Sequence, residues 1–231
     1  MSLIMKLSAA QVAAKLKFIN HYIKSNNPAD GSTVDANANI AHKNVATLAQ
    51  EIHKDINIQL NRALMTQKIT ELYDAELAQE YLRQLETHEI YKHDETHPFF
   101  PYCASITLYP FLLNGLTTLG GESLAPKHLD SFCGSFVNLV FAISAQFAGA
   151  CGTPEFLLYF DYFARRDYGA EYLTTHANEV ANHLQHVVYA LNQPAAARGY
   201  QSIFWNISIF DTEFLQSLFA EFVFPDGEKP N

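Results

Sequence analysis

The residues best equipped for chemistry gather between His88 and Cys103. Three histidines, His88, His93 and His97, fall in a short span with Asp94, and Cys103 closes it. Imidazoles can exchange protons near neutral pH or ligate a metal. A thiol can do nucleophilic or one-electron chemistry that carboxylates and imidazoles cannot. The stretch from His88 to Tyr102 is polar and aromatic and is broken by Pro98 and Pro101, so it reads as a site-bearing loop rather than a long helix. A free cysteine is more often a small buried hydrophobe, and Cys133 and Cys151, in apolar and helical-looking surroundings, are read that way. For metal binding, His183 and His186 form a second helical-spaced pair. Neither histidine set is completed by a cysteine or a carboxylate cluster, so no metal site is expected.

These side chains need a scaffold, and 231 residues are enough to bury a sizeable core. Apolar spacings of three and four predict helices over Leu7–Lys24 and about Asn44–Leu64, with Ser25–Asn39 a loop between them. Thr66 is expected to cap a third helix that uses Ile69, Leu72, Leu77 and Leu82. Further helices are expected over Ala104–Gly115, from Pro126 to Ala150, over Glu155–Arg166, Thr174–Asn192 and Thr212–Phe222, with a Gly120-Gly121 turn on the way. Ser202–Phe210 alternates Ile203, Trp205, Ile207 and Ile209 with Ser202, Phe204, Asn206 and Ser208, the pattern of a strand with one more polar face. A lone strand cannot satisfy its own backbone, so its partners must lie in segments read as something else or in chain beyond this sequence.

The net charge of −9 argues against a nucleic-acid partner, which needs a basic surface, while still permitting a bound nucleotide. The longest apolar run, Phe136 to Ala150, is short for a membrane span and is interrupted by Asn138, Ser144 and Gln146, so no membrane association is expected. Three unspaced cysteines without a signal peptide suit a reducing cytoplasm. Tyr159, Phe160, Tyr162 and Phe163 are expected to be core or interface residues.

Four stretches, in order, resemble the anaerobic (class III) ribonucleoside-triphosphate reductases of the glycyl-radical enzyme superfamily. Asn37–Asn44 is similar to the Asn-rich approach to an early helix of that family, and Glu86–Asp94 is similar to its "sGeIyiHDlD" segment. Phe136–Tyr162 looks like a helical region ending in "fDyf", and Arg198–Asn206 resembles the "rGgQtpFtn" barrel strand. The sequence departs at Thr96 for the second Asp, at Ala148-Gly149 for a Gly-Gly pair, and at Ser202-Ile203-Phe204 for "tpF". Arg198-Gly199-Tyr200 superficially resembles a glycyl-radical signature but precedes a strand in mid-chain and lacks residues between Arg and Gly. It is read as a turn leading into the strand.

The resemblance implies a helix-rich α/β fold, the amino-terminal portion of a ten-stranded α/β barrel of the glycyl-radical type. It would form a single domain over residues 1–231, with a helical part at about 7–87 and a barrel part at about 88–231. In that family a glycyl radical, made by an iron-sulfur/S-adenosylmethionine activase, generates a thiyl radical that takes the 3′-hydrogen of a ribonucleotide, and the 2′-hydroxyl leaves as water. Cys103 matches the cysteine that supplies reducing equivalents from the opposite face of the ribose, and His93 matches an active-site histidine. Asp94 and Asn206 would help hold substrate. The implied partners are a ribonucleoside triphosphate, a nucleotide effector, a second copy of the chain, the remaining carboxyl-terminal part and the activase. The thiyl cysteine, glycyl-radical loop and carboxyl-terminal four-cysteine zinc site of the family are not matched here, so this chain alone is expected to bind no cofactor and to be inactive. The alternative is a non-catalytic helical nucleotide-sensing or interaction module derived from the same fold. A small metal-binding helical protein built on the histidines is a third possibility.

Overall fold

In a computed structural model, residues 7–24, 45–92, 95, 101–117, 122–147, 149–193 and 202–230 are described. The Ser25–Asn39 loop, His93, Asp94, His97, the Gly120-Gly121 turn and Arg198-Gly199-Tyr200 lie outside them. The described residues fall into two compact units, one within 7–95 and one within 101–230.

The first unit holds α1 (Ala9–Lys24), α2 (Val45–Leu72) and α3 (Ala75–Glu86). Lys15 of α1 reaches α2 twice, donating to the Glu51 carbonyl at 3.3 Å and pairing with Asp55 at 3.0 Å. The expected break at Thr66 does not occur. Its hydroxyl donates back to the Arg62 carbonyl at 2.7 Å, a bond available inside a helix, and α2 runs on to Leu72. The cap of α3 is instead Asp74, extended at φ −158°, whose carboxylate accepts from the Leu77 N–H at 2.8 Å.

The second unit is α/β. Its three-stranded sheet runs β1 (Ala104–Ser105), β2 (Cys151–Thr153), β3 (Trp205–Ile207), all parallel. Around it lie α4 (Tyr109–Asn114), α5 (Leu129–Ser144), α6 (Phe156–Tyr168), α7 (Tyr172–Thr175), α8 (Ala177–Leu191) and α9 (Thr212–Phe219). The partners missing for the Trp205 strand are therefore two short segments read as helical. Ala104–Gly115 begins as a strand before turning into α4, and the helix expected to reach Ala150 ends at Ser144, leaving Cys151 on a strand rather than a helix. Inter-strand bonds carry the chain there: Ala104 N–H to Ala150 O at 2.9 Å, Ile106 N–H to Gly152 O at 2.9 Å, and Cys151 N–H to Phe204 O at 2.8 Å.

Aromatic rings fill the space between β2–β3 and the helices. Phe132 and Phe136 of α5 meet Phe156 of α6 with centroids 5.8 and 4.5 Å apart, and Phe163 lies 5.0 Å from Phe132. Trp205 sets its edge against Phe156 at 4.9 Å and donates its indole N–H to Thr153 Oγ1 at 2.7 Å. Tyr159, Phe160, Tyr162 and Phe163 are all buried, as their pattern predicts. Acidic side chains fix the connections. Asp167 accepts from the Leu129 N–H at 2.7 Å at the start of α5, and Glu155 accepts from the Leu108 N–H at 2.6 Å at the start of α4. No helix among the described residues is long and apolar enough to cross a membrane.

Candidate functional site

Alternation along a strand decides which side chains share a face. Ala104, Cys151 and Trp205 form one row across the sheet, and Ser105, Gly152 and Asn206 form the next. The first row faces the aromatic core: Cys151 is fully buried and Trp205 packs on Phe136 and Phe156. The second row must then face away from it, and Ser105 and Asn206 are exposed. Cys103, two residues before Ser105, joins this outward face by the same alternation and is also exposed. With strands about 4.8 Å apart, Ser105 and Asn206 stand roughly 10 Å apart across Gly152, a gap without a side chain to fill it.

Cys103 is held at close quarters. Its sulfur accepts the Ala150 N–H at 3.2 Å, and the Gly149 N–H donates to the neighbouring Tyr102 carbonyl at 2.5 Å. A Cβ added to Gly149 would lie 2.8 Å from the Cys103 sulfur and 2.7 Å from the Tyr102 carbonyl oxygen, closer than such atoms can come, so only glycine admits the thiol in this position. The other two cysteines differ from it. Burial, with Asp130 adding, pushes the Cys133 thiol up to about 12, which leaves it protonated and inert near neutral pH. Cys151 is sealed in the sheet.

The structure thus brings Cys103 and Asn206 onto one face, while His93 and Asp94 lie outside the described residues. Among the described residues no group of three or more His, Cys, Asp or Glu side chains is placed to hold a metal, and His183 instead shares a 3.0 Å hydrogen bond with the Tyr168 hydroxyl. Sequence reasoning missed Ser105, Gly152 and Gly149. The two glycines carried a signal, since an isolated glycine beside a strand often marks a close backbone approach, but they were read as helix terminators. Two cavities of about 750 and 550 Å³ lie elsewhere in this unit, the larger beside Arg165, Arg166 and Lys229, and neither is lined by Cys103 or Asn206.

A helix-rich α/β protein with an exposed, glycine-accommodated thiol at the head of a parallel sheet is the class these observations define. The chain belongs to the anaerobic ribonucleoside-triphosphate reductase family, whose sequence model matches residues 50–222. No curated protein matches it significantly in sequence. Among solved structures it is similar to the anaerobic ribonucleotide reductase of Thermotoga maritima. With the form holding dATP in the specificity site it shares 26% identity at a TM-score of 0.76, covering 95% of this chain and 34% of that one. With the form holding citrate in the active site the figures are 26% and 0.75, covering 95% and 37%. The form in complex with dATP and CTP matches in fold, with a TM-score of 0.77 at 23% identity over 99% of this chain and 40% of that one. The chain thus spans well under half the length of these relatives.

Proposed function

We propose that this chain is the amino-terminal portion of an anaerobic ribonucleoside-triphosphate reductase. It would supply the first strands of a ten-stranded α/β barrel and one wall of its ribonucleotide site. The observation that carries this reading is the division of the sheet into two faces. One is packed with aromatic rings, while the other presents Cys103, Ser105 and Asn206 around a bare Gly152. In an α/β barrel with helices outside, the face turned away from the helices is the lumen.

On that face each residue has a distinct task. The Cys103 thiol gives up hydrogen to the ribose once the 2′-hydroxyl has left as water, a role for which sulfur is suited because it passes through one-electron states. His93 exchanges the proton that the departing hydroxyl requires, as an imidazole can near neutral pH. Asp94 orients that imidazole or the substrate, and Asn206 donates and accepts hydrogen bonds to the nucleotide. The glycyl radical supplies the initiating one-electron chemistry and belongs to parts of the family's chain that are not matched here. A ribonucleoside triphosphate is the substrate and a second nucleotide the effector, in keeping with the dATP and CTP held by the Thermotoga maritima protein. A second copy of the chain is the expected partner for exposed apolar residues such as Phe214 and Leu218 of α9, a helix with no buried residue.

Calorimetry under anaerobic, reducing conditions tests the reading, comparing ATP, CTP and dATP on the native chain and on the Cys103→Ser and His93→Ala variants. Ribonucleotide binding that His93→Ala weakens, and Cys103→Ser leaves nearly intact, is expected from a substrate wall whose thiol acts in chemistry rather than in affinity. Nucleotide binding indifferent to His93 would point to a sensing module instead.

A further inference from the structure

Asn61 lies on α2 with no exposed surface, although its side chain is an amide that must hydrogen-bond. Both of its partners come from one distant stretch. Lys92 Nζ donates to Asn61 Oδ1 at 2.7 Å, and Asn61 Nδ2 donates to the Glu95 carbonyl oxygen at 3.1 Å. The next residue on the helix grips the same stretch: Arg62 donates from Nε to Glu95 Oε1 at 3.1 Å and from Nη2 to Oε2 at 2.9 Å. This two-pronged pairing fixes direction as well as distance. Two successive residues of one helix therefore hold positions 92 and 95, and the residues between those positions are His93 and Asp94.

Burial alone would favour leucine at position 61, since it has a similar volume and no polar atoms to satisfy. What the amide adds is a fixed attachment for a loop that otherwise contributes polar and charged groups. The charges around it agree with this role. Burial lowers the Lys92 ammonium from its ordinary value, so its hydrogen bond to Asn61 stands in for lost water, and the bond to Glu95 raises Arg62.

We propose that Asn61, supported by Arg62, is a positioning residue for the His93-Asp94 pair, fixing the loop from which the imidazole meets the ribonucleotide. The inference rests on the substrate-site reading above. Asn61 touches no substrate in this view and acts only through the residues it anchors.

The test uses the 231-residue chain and a double-mutant cycle between Asn61→Leu and His93→Ala. Hydrogen exchange is followed over the peptide containing Tyr91 to Glu95, and CTP affinity is measured by calorimetry from about pH 6 to 8, where a histidine changes charge. Asn61→Leu, with circular dichroism unchanged, is expected to speed exchange in that peptide and to weaken CTP by roughly tenfold, the scale of losing the support of a site side chain. It should also flatten the pH dependence of binding, and adding His93→Ala should change little more. Asn61→Asp, which keeps an oxygen for Lys92, should recover part of the affinity. If His93→Ala weakens CTP while Asn61→Leu leaves affinity and pH dependence untouched, or if the two losses simply add, the positioning role is overturned and the substrate-site reading stands. If His93→Ala has no effect on CTP, the substrate-site reading fails and this inference falls with it. Should Asn61→Leu not fold, Lys92→Met decides in the same cycle by whether its loss adds to that of His93→Ala.

Discussion

The two units are stabilised by different means. In the sheet unit every residue of the contiguous buried cluster lies between Leu108 and Phe224, and most of the large ones are aromatic. In the helical unit the buried residues are few, namely Tyr22, Glu51, Asn61, Ala78 and Leu85, and two of the five are polar. There the helices are joined by directed contacts such as Lys15 to Asp55 and Arg62 to Glu95. Apolar positions of α1 that the sequence pattern assigns to an inner face, such as Leu16 and Ile23, are 54% and 66% exposed. Burial of apolar area is non-directional and stabilises in bulk, whereas hydrogen bonds contribute modestly and fix geometry. The sheet unit thus resembles a self-sufficient core, and the helical unit a means of placing particular groups.

The largest expected effect tests that contrast directly. Phe132→Ala removes a ring that touches Phe111, Phe136, Phe156 and Phe163, and should destabilise by about 3–5 kcal/mol. Leu16→Ala in α1 should stay within about 0.5 kcal/mol. Urea unfolding measures both, and equal losses would remove the distinction between the units.

Next in size is Gly149→Ala, expected to destabilise by about 1–3 kcal/mol because its Cβ must push aside the Tyr102 carbonyl and the Cys103 sulfur. Alkylation with mass-spectrometric readout checks the thiol. In the native protein Cys103 should label first, with Cys133 and Cys151 protected until unfolding, and Gly149→Ala should change the rate at Cys103 alone.

A smaller effect of opposite sign belongs to Tyr159. It is fully buried, its hydroxyl has no hydrogen-bond partner among the described residues, and burial raises its ionisation well above the tyrosine norm. Tyr159→Phe should therefore stabilise by about 1 kcal/mol, since the unpaired group is removed and the ring kept. A thermal melt that falls instead would show that the hydroxyl is satisfied.

The smallest effect is in the helical unit. Exposed Arg83 bonds Glu80 and holds that carboxyl near about 2, below its ordinary 4.5. A lowered value means the contribution is present above the unfolded value and lost as the pH falls through the folded one, so it should fade between about pH 4.5 and 2. Because both groups are solvated, salt should erase most of it. Arg83→Gln compared with the native chain by circular dichroism, at low and high salt, is the check.

What could be read from the sequence follows the reach of each signal. The helices over Glu155–Arg166, Thr174–Asn192 and Thr212–Phe222 were legible because three- and four-residue periodicity is local, and α6, α8 and α9 lie within two or three residues of those bounds. β1 and β2 were not legible, because strands of two and three residues are too short to show alternation and depend on parallel partners some fifty residues away. Without them Cys151 looked helical and Gly149 looked like a helix stop. Thr66 misled for a different reason: its hydroxyl suits a cap or a mid-helix back-bond equally, and only Asp74, extended and next to the new axis, fits the cap. Cys103 and Asn206 were identified through resemblance. Their common face emerged only once the register was known.

The central claim is that ribonucleotide lies on the sheet face opposite the aromatic core, and amide chemical-shift mapping during a CTP titration tests it most directly. The expected result is a cluster of shifts at Cys103, Ser105, Gly152 and Asn206, with the Trp205 indole and the core rings nearly still. Shifts confined to the surroundings of Arg165, Arg166 and Lys229, around the larger cavity, would contradict it.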